Sequence, residues 1–333
     1  MKEYSEIVKG RLFVLIAEIS KSPELFVKNP RKDFTRDRKL PFETVVKLLI
    51  SMGGSSIYNE LLETQGYDVK TATASAFVQQ RDKILPFAFE FLLNRFTYSH
   101  TNIKTYRGYR LLATDSSDLQ IATDPKDLDT YFQNNQNEKG YNLLHLNAMY
   151  DLCNRLYIDA IVQPRRFLNE SMALVDMVDR SPIRDRVIVI ADRGYESYNN
   201  FAHIENKGWK YLIRVKDLGS TGILSGLSLP TEDEFDICVT RILTRKQTNE
   251  VKAHPKIYRY LSRSTPFDYL DPITNKFYPM SFWVVRFKIA DDSYETVITN
   301  LNPSEFLPKE LKDQQTVGYR NIFQRIKIFY RSY

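Results

Sequence analysis

The sequence predicts an α/β fold in which a mixed sheet carries helices on its faces, with a helical domain before it and an all-β insertion within it. Three observations predict this fold. Apolar residues recur at helical spacing in the first hundred residues. Apolar runs alternate with amphipathic runs from residue 106, and short β-rich runs with turn signals fill 217–293. At 333 residues, the chain is long enough for two or three domains with substantial cores.

The predicted domains follow these changes of pattern. We expect a helical domain at 1–104 and the first part of the sheet core at 105–216. The β-rich insertion is expected at 217–293, a return to the core at 294–312, and a tail of aberrant character at 313–333.

The N-terminal domain is predicted from helix signals. Apolar residues at helical spacing predict helices over 11–27 and 40–50, and Pro41 suits the first turn of the second. Another short helix is expected from residue 57. Thr73 is a candidate cap for a further helix over 73–83.

The net charge of +6 is carried entirely by the N-terminal third, where residues 1–110 hold 18 Lys and Arg against 12 Asp and Glu. Its densest stretch, residues 28–39, has six bases and two acids. Such a stretch suits a phosphate backbone, although a solvated loop of mixed charge has the same composition. The residues predicted here to bind DNA are Arg31, Lys32, Arg36, Arg38 and Lys39.

Residues 73–85 are a candidate recognition helix. Its outer face is expected to offer side chains of the types that hydrogen-bond base edges and phosphates. These are Ser75, Gln79, Gln80 and Lys83, of which the last three are predicted to bind DNA. Any polar helix surface has a similar composition, so both interpretations stay open.

From residue 106 the pattern changes to strands. Seven elements are predicted in order, namely strands at 108–115, 141–150 and 155–163, a helix at 168–179, a strand at 186–192, a helix at 197–207 and a strand at 209–216. Three strands in hairpin order, a crossover helix and then alternating strands and helices make a mixed sheet. This is the order of a ribonuclease H-like core.

The insertion interrupts that order. Glycine and serine residues after residue 217 predict a loop. Runs rich in β-forming residues follow at 235–243, 256–263 and 281–289. Residues 294–301 then resume the core as one more strand.

Two of the predicted core strands end in an acid. The apolar run 187–191 leads into Asp192, and the strand at 108–115 ends in Asp115. Neighbouring strands would bring these carboxylates together, and a close pair repels unless a cation or a shared proton relieves it. Hard divalent cations prefer such oxygen ligands. The alternative is that each acid caps the element that follows it.

Composition excludes several classes of protein. At 43% apolar and 26% charged residues the chain resembles an ordinary soluble protein, and no apolar run approaches the ~20 residues of a membrane span. The first residues do not resemble a signal peptide. Cys153, Cys238 and the four His residues suggest neither a disulfide framework nor a zinc site. A cytoplasmic protein without a membrane partner is expected.

Several motifs in order resemble the DDE transposases of bacterial insertion sequences, specifically insertion-sequence family four with its Y-R-E-K signature. The resemblance covers about residues 10–312. It rests on Ala-Thr-Asp-Ser-Ser at 113–117, Ile-Ala-Asp-Arg-Gly-Tyr at 190–195, the β-rich insertion after 217, and Val-Ile-Thr-Asn-Leu at 297–301.

The resemblance implies a chemistry and partners. Two magnesium ions held by three carboxylates would activate water or a DNA 3′-hydroxyl for attack on a phosphodiester. Asp115 would bridge the ions, Asp192 would bind one of them, and Arg193 would steady a phosphate, whereas Tyr195 would be a packing residue. The implied partners are double-stranded DNA of transposon ends and a second copy on that DNA. The bacterial protein would then be nucleoid-associated.

The third carboxylate of the family is absent. It should lie in a pattern Tyr-x2-Arg-x3-Glu-x6-Lys after residue 301, but residues 314–333 contain neither Asp nor Glu. One permissible set of codons for residues 315–329, read one nucleotide later, encodes R-R-W-G-I-E-T-S-F-R-E-L-K-Y, which has the family's spacing. We therefore expect a frameshift near 313–315 and a truncated, catalytically inactive copy.

Three functions compete on these grounds. The first is a transposase by descent that has lost activity, and the second is a non-catalytic DNA-binding remnant that occupies transposon ends or regulates intact transposase. A metal-dependent nuclease of ribonuclease H-like fold is the third, but it would need neither the basic helical domain nor the insertion. A soluble α/β protein with ordinary surface acids is the blandest alternative.

Overall fold

The computed structural model describes residues 2–306, apart from 37, 100, 101, 136, 137, 220, 221, 292 and the side chains of 2–5. The predicted tail at 313–333 lies outside the described residues, as does the part of 294–312 after Phe306. The chain divides into two compact units, one formed by Met1–Ile103 and the other beginning at Lys104. No helix among the described residues is long and apolar enough to cross a membrane.

The N-terminal unit is helical. Its helices are α1 (Lys2–Ile19), α2 (Phe42–Ser51), α3 (Ile57–Thr64), α4 (Ala74–Arg81) and α5 (Phe87–Tyr98). Their apolar faces meet in one cluster that includes Ile16, Val45, Leu61 and Phe77. Burying these faces together stabilises helices that would be marginal alone at this length.

The ends of these helices follow local chemistry. The predicted cap Thr73 accepts a hydrogen bond from the backbone N–H of Ala76, as the sequence indicated. The prediction of a helix over 11–27 was wrong at its end, because α1 stops at Ile19 and a single 3-10 turn, Pro23–Leu25, follows. Pro23 cannot donate the backbone hydrogen bond that a continuing helix needs.

The second unit contains ten strands in one mixed sheet among the described residues. The strands are β1 (Arg110–Ile121), β2 (Tyr131–Phe132), β3 (Tyr141–Asp151), β4 (Leu156–Pro164), β5 (Val187–Ala191), β6 (Lys210–Arg214), β7 (Phe235–Thr244), β8 (Tyr258–Tyr260), β9 (Phe277–Ala290) and β10 (Ser293–Thr299). The helices are α6 (Glu170–Arg180), α7 (Tyr198–Asn206) and the short α8 (Asn249–Ala253).

The strand order is β2-β3-β1-β5-β6-β10-β9-β7-β8, with β4 also paired to β3. β1 pairs antiparallel with β3 and parallel with β5, and β5 pairs parallel with β6. The order β4-β3-β1-β5-β6 is consistent with the ribonuclease H-like core that the sequence predicted. The predicted mixed α/β class is confirmed.

The first core strand is longer than predicted. The sequence indicated a strand over 108–115 that ends in an acid, but β1 continues to Ile121 because residues 112–121 pair with β3. What ends near Asp115 is the pairing with β5, whose last partners are Thr114 and Ala191.

The predicted insertion continues the core sheet. β10 pairs antiparallel with both β6 and β9, and β7 then pairs with β9. The segment 217–293 is not all-β, since Asn249–Ala253 form a helix capped by the Thr248 side chain. The Thr248 side chain, which accepts a 3.3 Å hydrogen bond from the backbone N–H of Val251, favours a helix start at this point.

Two hydrophobic clusters cover the faces of this sheet. The helix-side core includes Leu112, Val189 and Ile213 with residues of α6 and α7. The core on the opposite face includes Leu111, Ile190 and Leu212, which alternate along their strands with residues of the helix-side core. Alternation along each strand therefore decides on which face a side chain lies.

A buried ion pair anchors the start of β1. Asp151 is fully buried, and it accepts hydrogen bonds from Arg110 and from the backbone N–H groups of Cys153 and Asn154. The nearest Arg110–Asp151 contacts are 2.9 Å. Asp151 thus provides hydrogen-bond acceptors both for the guanidinium and for the N–H groups of the turn between β3 and β4.

We predict that Asp151→Ala destabilises the second unit by about 3–5 kcal/mol, because it leaves the buried Arg110 guanidinium with the weaker contact to Asp185, 3.5 Å away and half-exposed, and removes the acceptor of the turn N–H groups. Urea unfolding followed by tryptophan fluorescence measures this, since Trp209 and Trp283 both lie in that unit. Asp129→Ala is the matched control, because its partner Arg166 is exposed and 3.6 Å away. An exposed pair contributes about 0–1 kcal/mol. Equal losses in both variants would contradict the prediction.

Candidate active site

The point where β1 and β5 separate places two acids on neighbouring strands. The parallel register pairs Thr114 with Ala191. Asp115 and Asp192 are the next residue on each chain segment. The structure thus brings together the two residues that the sequence predicted as catalytic and metal-binding.

Both acids project from the same face of the sheet. Leu111 and Ile190 lie in the opposite core, whereas their sequence neighbours lie in the helix-side core. Asp115 is four residues from Leu111, and Asp192 is two from Ile190. Because strand side chains alternate with a period of two, both carboxylates point away from α6 and α7.

Arg214 on β6 and Glu295 on β10 continue this row of charges across the sheet. Arg214 Nη1 lies 3.4 Å from Asp192 Oδ1, and Arg214 Nε donates a hydrogen bond to Glu295 Oε1. The Glu295 side chain is 10% exposed and that of Asp192 is 46% exposed. One guanidinium therefore compensates a buried carboxylate and a half-exposed one.

Asp192 also begins the turn that follows β5. Its Oδ1 accepts a hydrogen bond of 2.6 Å from the backbone N–H of Arg193, and Arg193–Tyr195 form one 3-10 turn. Asp192 therefore caps the element that follows it, which was the alternative that the sequence left open. Both contacts involve Oδ1, and they fix the orientation of the carboxylate without using Oδ2.

Tyr195 is the last residue of this turn and has 2% of its surface exposed. Burial raises the pKa of its hydroxyl well above the ordinary value of 10.0, and the carboxylates of Glu170, Asp115 and Asp192 raise it further. The nearby Ser116 side chain opposes the shift. Tyr195 is consequently protonated at neutral pH, and its ring belongs to the helix-side core.

A second polar cluster lies on the helix side, and the sequence did not predict it. Glu170, in the first turn of α6, accepts a 2.6 Å hydrogen bond from Ser116 Oγ and lies 3.1 Å from His145 Nε2. The other ring nitrogen of His145 lies 2.7 Å from Asp118. A Cβ atom at Gly194 would lie 2.9 Å from Glu170 Oε2. Glycine therefore lets this carboxylate approach the turn after β5.

No local signal marks this cluster. Glu170 follows the N-cap Asn169, where an acid is ordinary because it stabilises the helix start. Its contacts to His145 and Ser116 span 25 and 54 residues. Such contacts depend on the packing of α6 on the sheet.

Arg193, which was predicted to contact phosphate, is exposed beside Asp192. Its charge also acts on Asp217. Burial raises the pKa of Asp217, but the backbone N–H of Leu218 and the guanidinium of Arg286 lower it below its usual value, with a smaller contribution from Arg193. Arg193 is thus an accessible cation at the edge of the acid pair.

The carboxylates of Asp115 and Asp192 could supply some of the ligands of a metal site. Among the described residues, no three His, Cys, Asp or Glu side chains converge as a metal-binding group. Asp115 and Asp192 offer two carboxylates. Mg²⁺ is commonly bound through one or two carboxylates, with waters and substrate phosphates as the other ligands. The pair therefore fits a hydrated divalent ion and does not form a cage of protein ligands.

The residues predicted to bind DNA in the N-terminal unit fall into two groups. Five cations line one cavity, namely Arg31, Lys32, Arg36, Arg38 and Lys83. Lys39 does not line it and instead donates a 2.8 Å hydrogen bond to the backbone carbonyl of Lys70. Gln79 is exposed and donates to Ser75 Oγ at 3.4 Å.

The prediction that Gln80 lies on the outer face of α4 was wrong. Gln80 is 9% exposed because it lies one turn after the buried Phe77 on the inward face. Its Oε1 accepts a 3.1 Å hydrogen bond from Lys83 Nζ. Gln80 therefore lines the cavity of the five cations and positions one of them, and it does not lie on the exposed face of α4.

One solved structure to which the chain is similar is the cryo-EM structure of the piggyBac transposase synaptic complex with hairpin DNA. The TM-score is 0.38 at 11% sequence identity, over 80% of this chain and 54% of that one. This chain therefore spans about half the length of that protein. No curated protein matches the sequence.

The family comparison covers the unit that holds Asp115 and Asp192. The model of the family described as "Transposase DDE domain" matches residues 106–313, which is more than half of the chain. This protein therefore belongs to the family of transposase DDE domains.

Proposed function

We propose that this chain is a DNA transposase of insertion-sequence family four, built to cleave phosphodiester bonds at the ends of its element and to transfer the strands. The observation that supports this most directly is the placement of Asp115 within β1 and Asp192 directly after the neighbouring parallel strand β5, on one face of the sheet. The carboxyl edge of such a sheet is where α/β proteins bind their ligands.

The proposed cofactor is magnesium. Transposases of the DDE type generally use divalent metal ions, and Asp115 and Asp192 are the residues that would hold them here. When bound, two such ions would activate a hydroxyl nucleophile and stabilise the charge that develops on the phosphodiester.

Neighbouring groups orient Asp192 and add positive charge at this edge of the sheet, which would favour an anionic substrate. Arg214 and the backbone N–H of Arg193 hold the Asp192 carboxylate in one orientation. The exposed guanidinium of Arg193 is suited to pair with two phosphate oxygens at once. Tyr195 stays protonated, and its ring packs in the helix-side core.

We further propose that this copy has lost its activity. The family resemblance requires a third carboxylate in a Y-R-E-K motif, and residues 314–333 contain no acid. A frameshift near residues 313–315 accounts for this loss. Glu310 precedes the expected position by about three helical turns, and it lies outside the described residues.

The second candidate function is a DNA-binding remnant or a regulator of intact transposase. The missing acid favours it, together with the basic cavity of the N-terminal unit. Its partners would be the double-stranded DNA of the transposon ends and a second copy of the chain on that DNA. The bacterial chain would then be cytoplasmic and nucleoid-associated when DNA is bound.

We predict that Asp115→Asn and Asp192→Asn each remove most of the thermal stabilisation that Mn²⁺ or Mg²⁺ gives the wild-type chain. Saturation at one hundred times Kd stabilises a protein by about 2.7 kcal/mol, which differential scanning fluorimetry resolves. Asp176→Asn on α6 is the matched control, because it removes one exposed acid from the same unit. A wild-type response in either site variant would refute the metal roles.

We also predict that Arg214→Met destabilises the second unit by about 2–4 kcal/mol, because Glu295 is left buried and unpaired. Adding Glu295→Gln should recover most of this loss. Tryptophan fluorescence in urea measures both changes in the free energy of unfolding.

Lys216→Met is the control for this cycle. Lys216 is 56% exposed and 4.0 Å from the buried Glu196, which keeps its 2.7 Å hydrogen bond from the backbone N–H of residue 216 in the variant. It should cost less than about 1 kcal/mol. Strictly additive losses in the Arg214–Glu295 double variant would show that the two residues are not coupled.

A further inference from the structure

We propose that the N-terminal unit contains a phosphate-binding site in the cavity between the basic loop (residues 28–40) and the end of α4. The cavity has a volume of about 390 Å³. This inference rests on the DNA-binding part of the proposed function and deepens it. The site needs neither a metal nor the acid pair of the second unit.

The charge of the cavity is the first argument. Five cationic side chains line it, and no acidic side chain among the described residues does so. Like charges gathered in a concave surface repel one another, and they focus a positive field on whatever enters. Three of the five are arginines, whose planar guanidinium groups match phosphate oxygens. A multiply charged oxyanion is the ligand that this lining stabilises best.

The acid of the loop that the structure describes is turned inward. Asp33 is 6% exposed and accepts a 2.9 Å hydrogen bond from the backbone N–H of Asn29 and a 3.3 Å bond from the Asn29 side chain. The Asp33 carboxylate therefore holds the loop together through Asn29, and it does not line the cavity. Asp37 lies outside the described residues and forms no part of the proposed site.

The loop is fixed to α4 at its base. Val27 and Ile84 form an antiparallel bridge, the backbone N–H of Lys28 donates to the Lys83 carbonyl at 2.8 Å, and that of Leu85 donates to the Phe26 carbonyl at 2.8 Å. These bonds place Lys83 beside the cations of the loop. The arrangement is set by backbone pairing and does not depend on flexible side chains alone.

Phe34 reverses the chain at the centre of the loop. Its φ of 54° lies in the left-handed region, which is uncommon for a bulky residue. The ring packs edge-on against Phe42 at 5.5 Å, and Lys83 Nζ lies 5.9 Å from its centroid. This reversal lets cations on both sides of Phe34 line the same cavity. Backbone strain held by packing is typical of a binding loop.

The test compares two double variants of the full chain in EDTA, so that catalysis plays no part. Arg36→Ala with Arg38→Ala removes two cations of the cavity. Arg11→Ala with Lys21→Ala removes two exposed cations elsewhere in the same unit. Fluorescence anisotropy with a labelled duplex of about 30 bp, long enough for several phosphate contacts, and calorimetric titration with inorganic pyrophosphate are the measurements. Circular dichroism checks that both variants keep their helices.

We expect the cavity variant to bind the duplex at least about tenfold more weakly and to lose pyrophosphate binding, whereas the control changes each affinity by less than about threefold. The slope of log affinity against log salt should also become shallower by about one for each phosphate that the variant no longer neutralises. Arg31→Ala with Lys32→Ala, on the other side of Phe34, should give the same result.

The outcomes separate the sources of the phosphate. Loss of pyrophosphate binding with unchanged duplex binding would support the site and assign it to a free phosphate compound. Loss of both supports the DNA backbone as the ligand. Equal effects of the cavity and control variants, or no effect of either, would overturn the proposal. Each outcome has the same meaning whether or not Asp115 and Asp192 bind metal.

Discussion

The parallel pairing of β1 with β5 is the constraint on which the candidate site depends. This pairing ends at Thr114 and Ala191. The next residue of each segment, Asp115 or Asp192, therefore lies just beyond the last β1–β5 pair and on the same face of the sheet. Two carboxylates are thereby placed together, Asp115 within β1 and Asp192 at the start of the turn after β5. Arg214, on the next strand, compensates the charge of Asp192 and links it to Glu295. The site is consequently a row of charges held by three strands and by the turn after β5, and the buried sheet beneath it resists displacement.

Much of the fold could be predicted from the sequence because strand and helix periodicity are local signals. The apolar run before Asp192 identified β5, and the alternation around it identified a mixed sheet. The length of β1 could not be predicted, because residues after Asp115 become a strand through pairing with β3. The inward turn of Gln80 and the contacts of Glu170 depend on tertiary packing. Periodicity cannot reveal which polar side chain another helix or strand will bury.

The two units carry separate parts of the proposed function. The second unit offers two carboxylates and an accessible arginine at one sheet edge, which suits a metal-bound phosphodiester. The N-terminal unit offers a concave set of cations that suits phosphate without a metal. Loss of a third carboxylate would stop catalysis and leave phosphate recognition intact. Under the two proposals, the chain would be a transposase by family that binds DNA without cleaving it.

The most direct test is one assay that scores binding and nicking together, using the purified chain and duplex DNA that carries the ends of its element, with and without Mg²⁺. We expect binding in both conditions and no magnesium-dependent nicking. Nicking would show that another acid completes the site, with Glu310 the first to substitute, and it would contradict the proposed loss of activity. Absence of binding would contradict the role proposed for the N-terminal unit.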